Sequence, residues 1–278
     1  MAQQPVSTFA ELKSAVEGAD VTDILVTADI EFTSGIRIPV TKKQLTLDCG
    51  NHTITDRVST AATDALYVPT GAGTMDVTVK NAVWSGRNYY GVVCVYDDTA
   101  NADVTISLQN ITYTGPQMIY NRYGTTVVQN CVVNIQKNGA SAAPQEFCEA
   151  NRLTLAGNVT VTSATTSNAV MWFPFAGAAL RVEPSANVTV NAPDTYLIYS
   201  DTAAKPSLTF MEQSTTTINV KSGLFYSSGT GAHIASSCTV GQNAALSVTA
   251  SSNNGTPLLK CVDKLTVLQS AKLSLVMP

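Results

Sequence analysis

Charge is scarce in this chain of 278 residues: Asp, Glu, Lys and Arg together make up 13%. At that density long solvated helices, which carry charge along their outer faces, are excluded. Aromatic residues contribute 7%, and the only histidines are His52 and His233. The six cysteines (Cys49, Cys94, Cys131, Cys148, Cys238 and Cys261) form no C-x-x-C pair and fit no zinc spacing. No metal site is therefore expected, and the thiols are expected to be mostly free and buried. There is no Gly-rich phosphate loop and no nucleophile elbow, so no cofactor is expected. No apolar run approaches the ~20 residues of a membrane helix, which argues against membrane insertion. A basic start followed by an apolar signal segment is also missing. The net charge of −4 and a pI near 5.1 leave no basic field for nucleic acid or anionic lipid. A neutral or weakly polar ligand fits better.

What is present is a hydrophobic fraction of 45% together with abundant Thr, Ser, Val and Asn, the composition of strands and turns. A unit of alternating residues recurs: Leu45-Thr-Leu47, Val77-Thr-Val79, Val104-Thr-Ile106, Thr126-Val-Val128, Leu153-Thr-Leu155, Leu180-Arg-Val182, Leu208-Thr-Phe210, Cys238-Thr-Val240 and Leu265-Thr-Val267. Successive starts lie 22 to 32 residues apart. That period is too long for a hairpin and too short for a domain, so it predicts one turn of a solenoid. A second alternating run follows each first one, as in Val159-Thr-Val161 and Val188-Thr-Val190. Between the two stand Asn51, Asn81, Asn110, Asn130, Asn158 and Asn187, then Ser214, Asn243 and Ser270. Asn tolerates left-handed backbone and hydrogen-bonds along a stack, so these positions predict a corner ladder. That corner also generates most of the Asn-x-Thr sequons, which therefore do not signal glycosylation.

The expected fold is all-β: a right-handed parallel β-helix of about nine coils, a single domain over 1–278 with solenoid coils from 22 to 278. One helix is predicted, over 7–17. Thr8 and Glu11 form a capping box, and Phe9, Leu12, Ala15 and Val16 make an apolar stripe that would lie across the open first coil. Leu273-Ser-Leu-Val-Met277 is apolar to the end of the chain, so something is expected to cover the last coil.

Three segments carry a likeness: Val6-Ser-Thr-Phe-Ala-Glu-Leu-Lys-Ser-Ala-Val16, Ile24-Leu-Val-Thr-Ala-Asp-Ile30 and Leu45-Thr-Leu-Asp-Cys-Gly-Asn-His-Thr-Ile54. Over roughly residues 6–56 the chain resembles the pectate lyase-like adhesive domain of Gram-positive surface proteins. The resemblance implies a right-handed β-helix, export to the extracellular cell surface as part of a larger surface protein, and a role in attachment. It carries no catalytic residues with it.

The residues themselves offer little catalytic signal. A uronide lyase needs carboxylates for Ca²⁺ beside a basic arginine, and Asp97-Asp98 reads instead as an ordinary turn. Arg122 and Arg152 start consecutive coils without an Asp ladder, and the acid pairs of a glycoside hydrolase are not recognisable. No catalytic residue is therefore assigned. The stronger signal is aromatic: Tyr89-Tyr90, Ile119-Tyr120, Phe147, Met171-Trp-Phe173, Ile198-Tyr199 and Phe225-Tyr226 recur about once per coil. Alternation would turn Ile inward and Tyr outward, giving a ligand-binding face of Tyr90, Tyr120, Arg122, Trp172, Tyr199 and Tyr226. Equally, large side chains commonly fill core gaps under loops. Three functions follow. The chain is a non-enzymatic module binding a polysaccharide or a host or cell-surface glycoprotein, a divergent polysaccharide lyase or glycoside hydrolase, or a structural stalk. Ice binding through outward Thr pairs ranks below these, because Asn134/Gln136 and Asn219/Lys221 interrupt the ladder.

Overall fold

All nine predicted first strands pair side by side in one parallel ladder. The computed structural model describes residues 3–57, 64–166, 169–201, 204–225, 235, 237–253, 257–260 and 262–278. In it the inward row Leu45, Val77, Ile106, Thr126, Leu153, Leu180, Leu208, Cys238 and Leu265 is in unbroken register. Two strands not foreseen as repeats, Gln4–Val6 and Asp23–Val26, extend this first sheet at its N-terminal edge. A second sheet runs from Ile30–Phe32 through Thr53–Asp56 to Lys272–Val276. A third runs from Ile36–Arg37 through Leu66–Val68, Val93–Val95, Ile119–Gln129, Cys148–Ala156, Ala169–Phe173 and Tyr196–Ser200. An isolated bridge from Ile198 to Phe225 extends it by one level. The third sheet therefore has eight levels, and the solenoid has about eight turns rather than nine.

The core is the space between the sheets, where alternation stacks Val, Ile and Leu from each coil on the next. Four cysteines (Cys49, Cys131, Cys148 and Cys238) lie in it as free thiols, and Cys94 is a free thiol buried on the outer side of the third sheet; Cys261 is outside the described residues. Burial pushes the Cys49 thiol up to about 12, so it stays protonated and behaves as a small hydrophobe.

The corner ladder forms, with a correction. Asn51, Asn81, Asn110, Asn130, Asn243 and Ser270 take positive φ as expected, but Gly157, Ser185 and Gln213 do so in place of Asn158, Asn187 and Ser214. Gly157 needs no Cβ beside the Asn130 amide, and this frees Asn158 to open the strand Asn158–Ser163, where it stacks on Asn187. The amides link coils: Asn81 Nδ2 donates to Asp48 Oδ1 at 2.9 Å and Asn110 Nδ2 to Asn81 Oδ1 at 3.0 Å.

The helix spans Phe9–Glu17, with both arms of the Thr8/Glu11 capping box in place and Leu12, Ala15 and Val16 buried. Phe9 packs on Phe32 at 5.5 Å and Phe32 on Trp84 at 5.6 Å, so an aromatic chain ties the cap to the core. Thr8→Ala is expected to destabilise the protein by about 1 kcal/mol, read as a lower midpoint in urea; an unchanged midpoint would show that the cap is held by packing alone. At the far end Leu265, Val267, Leu275 and Val276 are exposed, because no described coil lies over them.

Candidate functional site

Within the third sheet, alternation works as the repeat implied. Ile119, Cys148, Met171 and Ile198 point into the core, so their neighbours Tyr120, Glu149, Trp172 and Tyr199 point outward. Register aligns them in a single row: Arg37, Tyr67, Cys94, Tyr120, Glu149, Trp172, Tyr199. Successive members are about 4.8 Å apart. The ring of Trp172 meets Tyr199 edge-on at 5.6 Å. Four of the six predicted residues, Tyr120, Arg122, Trp172 and Tyr199, are thus brought together here.

Tyr90 joins from another element. In its coil the row position belongs to Cys94, and Tyr90 sits on the turn before Val93–Val95. That turn is fixed from below: Asp56, fully buried, accepts hydrogen bonds from the backbone N–H of Arg87 and of Asn88, and Asn88 Oδ1 accepts from Tyr90 N at 2.7 Å. The Tyr90 ring then stands perpendicular to Tyr120 at 5.1 Å. Tyr226 lies outside the described residues.

Arg122, two residues along from Tyr120, lies across the row. Its guanidinium carbon is 5.2 Å from the Trp172 ring, 5.2 Å from Phe175 and 5.9 Å from Tyr120. Its Nη1 is 2.7 Å from Asp97 Oδ2, and its Nε is 3.6 Å from Glu149 Oε2. Arg152 does not join it; it donates to Thr125 Oγ1 and the Ala102 carbonyl on the first sheet.

Asp97-Asp98 divides its roles. Asp98 is the turn residue expected, capping a short 3-10 helix through Ala100 N and bonding Gly71 N. Asp97 is part of the site, accepting from Arg122 and, at 3.3 Å, from the Tyr120 hydroxyl. Sequence reasoning also missed Asp64, Tyr96, Glu149 and Phe175. Only Glu149 could have been found, by counting one coil on from Tyr120; Asp64, Tyr96 and Asp97 reach the site from irregular turns that carry no period. Asp64 accepts a 2.7 Å hydrogen bond from the Tyr96 hydroxyl, and Tyr96 stacks on Tyr67 at 5.2 Å.

Burial dominates the titration here. It pushes the Glu149 carboxyl up to about 7, against the Gln117 hydrogen bond and with help from nearby Glu146, and it pushes Tyr120 up to about 12. Asp64 is raised for the same reason. The result is a half-buried strip of rings with a shielded cation and several carboxyls, able to stack on flat apolar faces and to accept hydrogen bonds from hydroxyls.

Residues 3–120 match the family model described as "Putative pectate lyase-like adhesive domain". The adhesive-domain match takes in the capping helix, the corner and the site as far as Tyr120, well beyond the segment that first suggested it. Two solved structures share the fold over nearly the whole chain. One, named "L. reuteri 53608 SRRP", is 18% identical with a TM-score of 0.75, covering 99% of this chain and 99% of that one. The other, named "L. reuters 100-23 SRRP", is 14% identical with a TM-score of 0.62, covering 100% and 96%. No curated protein matches. At these identities the structural likeness is one of fold.

Proposed function

We propose that the chain is a non-enzymatic adhesion module, displayed at a cell surface, that binds carbohydrate along the outward row of its third sheet. The adhesive-domain match and the two serine-rich repeat protein neighbours support attachment as the role. The observation that carries the carbohydrate reading is the register that puts Tyr67, Tyr120, Trp172 and Tyr199 on one line, half-buried, with Trp172 and Tyr199 meeting edge-on. Sugar rings have apolar faces that stack on aromatic rings, and Asp97, Glu149 and Arg122 offer hydrogen-bonding groups beside them. Rigid parallel coils keep the strip preorganised, so little entropy is lost on binding.

A glycan array is the direct test. The wild-type chain is expected to bind a restricted set of glycans, and Tyr120→Ala combined with Tyr199→Ala is expected to weaken that binding by at least about tenfold while leaving the fold intact. Binding that survives the double substitution would sink the aromatic strip as the site.

The enzyme reading keeps one specific support. Glu149, whose carboxyl burial pushes up to about 7, and Asp97 flank the same arginine, and a carboxyl raised towards neutrality is what a general acid needs. Release of reducing ends or unsaturated product from any bound glycan, lost in Glu149→Gln, would establish that reading in place of the binder.

A further inference from the structure

A cavity of about 240 Å³ opens on the middle of the row, lined by Asp64, Tyr90, Cys94, Tyr96, Asp97 and Tyr120. Three of its six residues are tyrosines from three separate elements, and two are aspartates. The two carboxylates differ in how they are balanced. Asp97 is neutralised by Arg122 at 2.7 Å. Asp64 is buried and bonded to the Tyr96 hydroxyl, yet among the described residues no Lys, Arg or His forms an ion pair with it. A buried carboxylate without a counter-charge is costly, and a cation placed against it relieves that cost. The rings favour the same occupant, since tyrosine faces attract cations. The protein already uses this device alongside: Arg122 lies over Tyr120, Trp172 and Phe175 with its charge met by Asp97.

We propose that this cavity receives the ammonium group of an amino sugar whose 2-amino group is free, as in a de-N-acetylated glucosamine chain. The proposal rests on the carbohydrate reading above and names its ligand class. The amine sits in the cavity beside the Tyr90 and Tyr120 rings, which already touch edge to face, and pairs with Asp64, while neighbouring sugars continue along Tyr120 and Trp172. N-acetylation removes the charge and adds bulk, so it abolishes the advantage.

Isothermal titration of the whole chain with matched oligosaccharides of glucosamine, N-acetylglucosamine and glucose, at about pH 6 where a free amine is protonated, separates the possibilities. The glucosamine oligomer is expected to bind at least about tenfold tighter than the other two, and the advantage should shrink as salt is added. Asp64→Asn retains the acceptor for Tyr96 and is expected to erase the preference without loss of the fold. If that variant does not fold, Tyr90→Leu serves instead and should reduce the preference. Equal binding of all three oligomers would overturn the amine assignment and leave the carbohydrate reading standing. Binding of none would overturn both. Polylysine competing as well as the glucosamine oligomer would overturn the sugar part of the proposal, and a preference that persists in Asp64→Asn would overturn the role of Asp64.

Discussion

Replacing Gly91 by Ala is expected to destabilise the protein by about 3 kcal/mol and to abolish the proposed ligand binding at the aromatic strip, although it adds only one methyl group to a buried turn. Two effects combine. Gly91 has φ +74°, which a Cβ disfavours by about 1 kcal/mol, and a Cβ built there would overlap the carbonyl of Met118 in the next coil. That contact is backbone on backbone, so no rotamer change relieves it. The turn must lift away, losing the Val92 N–H bond to the Met118 carbonyl and pulling Tyr90 off Tyr120. Gly71→Ala is the control: its φ is +77°, but nothing lies within 4 Å of the added carbon, so only the conformational cost of about 1 kcal/mol remains. Urea midpoints of the two variants measure the difference, and equal losses would show that the close approach of the turn to the strand is not what holds Tyr90 in place.

This turn also marks the limit of what the sequence reveals. Strands such as Leu153-Thr-Leu155 were legible because inward and outward residues alternate and the pattern returns with each coil, so burial writes itself into periodicity. The capping helix was legible from Thr8 and Glu11, whose reciprocal hydrogen bonds need only three-residue spacing. Tyr120, Trp172 and Tyr199 were legible for the same reason as the strands. The corner was misplaced by one or two residues where Gly157, Ser185 and Gln213 take the left-handed position, since several small or polar residues can do so and neighbours decide which does. Asp64 and Asp97 were opaque because they sit on turns. Their significance comes from Tyr96 and Arg122, one about a coil away and the other in the next coil, and no local pattern records such a meeting. Glu149 was hidden by chemistry rather than by geometry: it occupies a regular row position where the eye expects another ring.

Glu149 also sets the second large effect. Its carboxyl titrates near 7 in the folded protein and near 4.5 when unfolded, chiefly through burial. A raised acid favours the folded state while protonated, so its contribution is complete below about pH 4.5 and is lost as pH rises through 7. At 1.36 kcal/mol for each pH unit of difference, the wild type is expected to lose about 3 kcal/mol on this account between pH 4.5 and 8. Glu149→Gln keeps the shape and the hydrogen-bonding capacity but cannot ionise, so its melting temperature should exceed that of the wild type by several degrees at pH 8 and match it near pH 4.5. Arg122→Gln should do the opposite. The guanidinium holds the Glu149 value down, so without it Glu149 ionises at still higher pH and Asp97 loses its partner. Parallel melting curves for the three proteins across that range would show the carboxyl as a site kept dry between Tyr120 and Trp172 at the expense of stability; if Glu149→Gln instead melts lower at pH 8, the ion pair with Arg122 outweighs burial and the row is held together by charge.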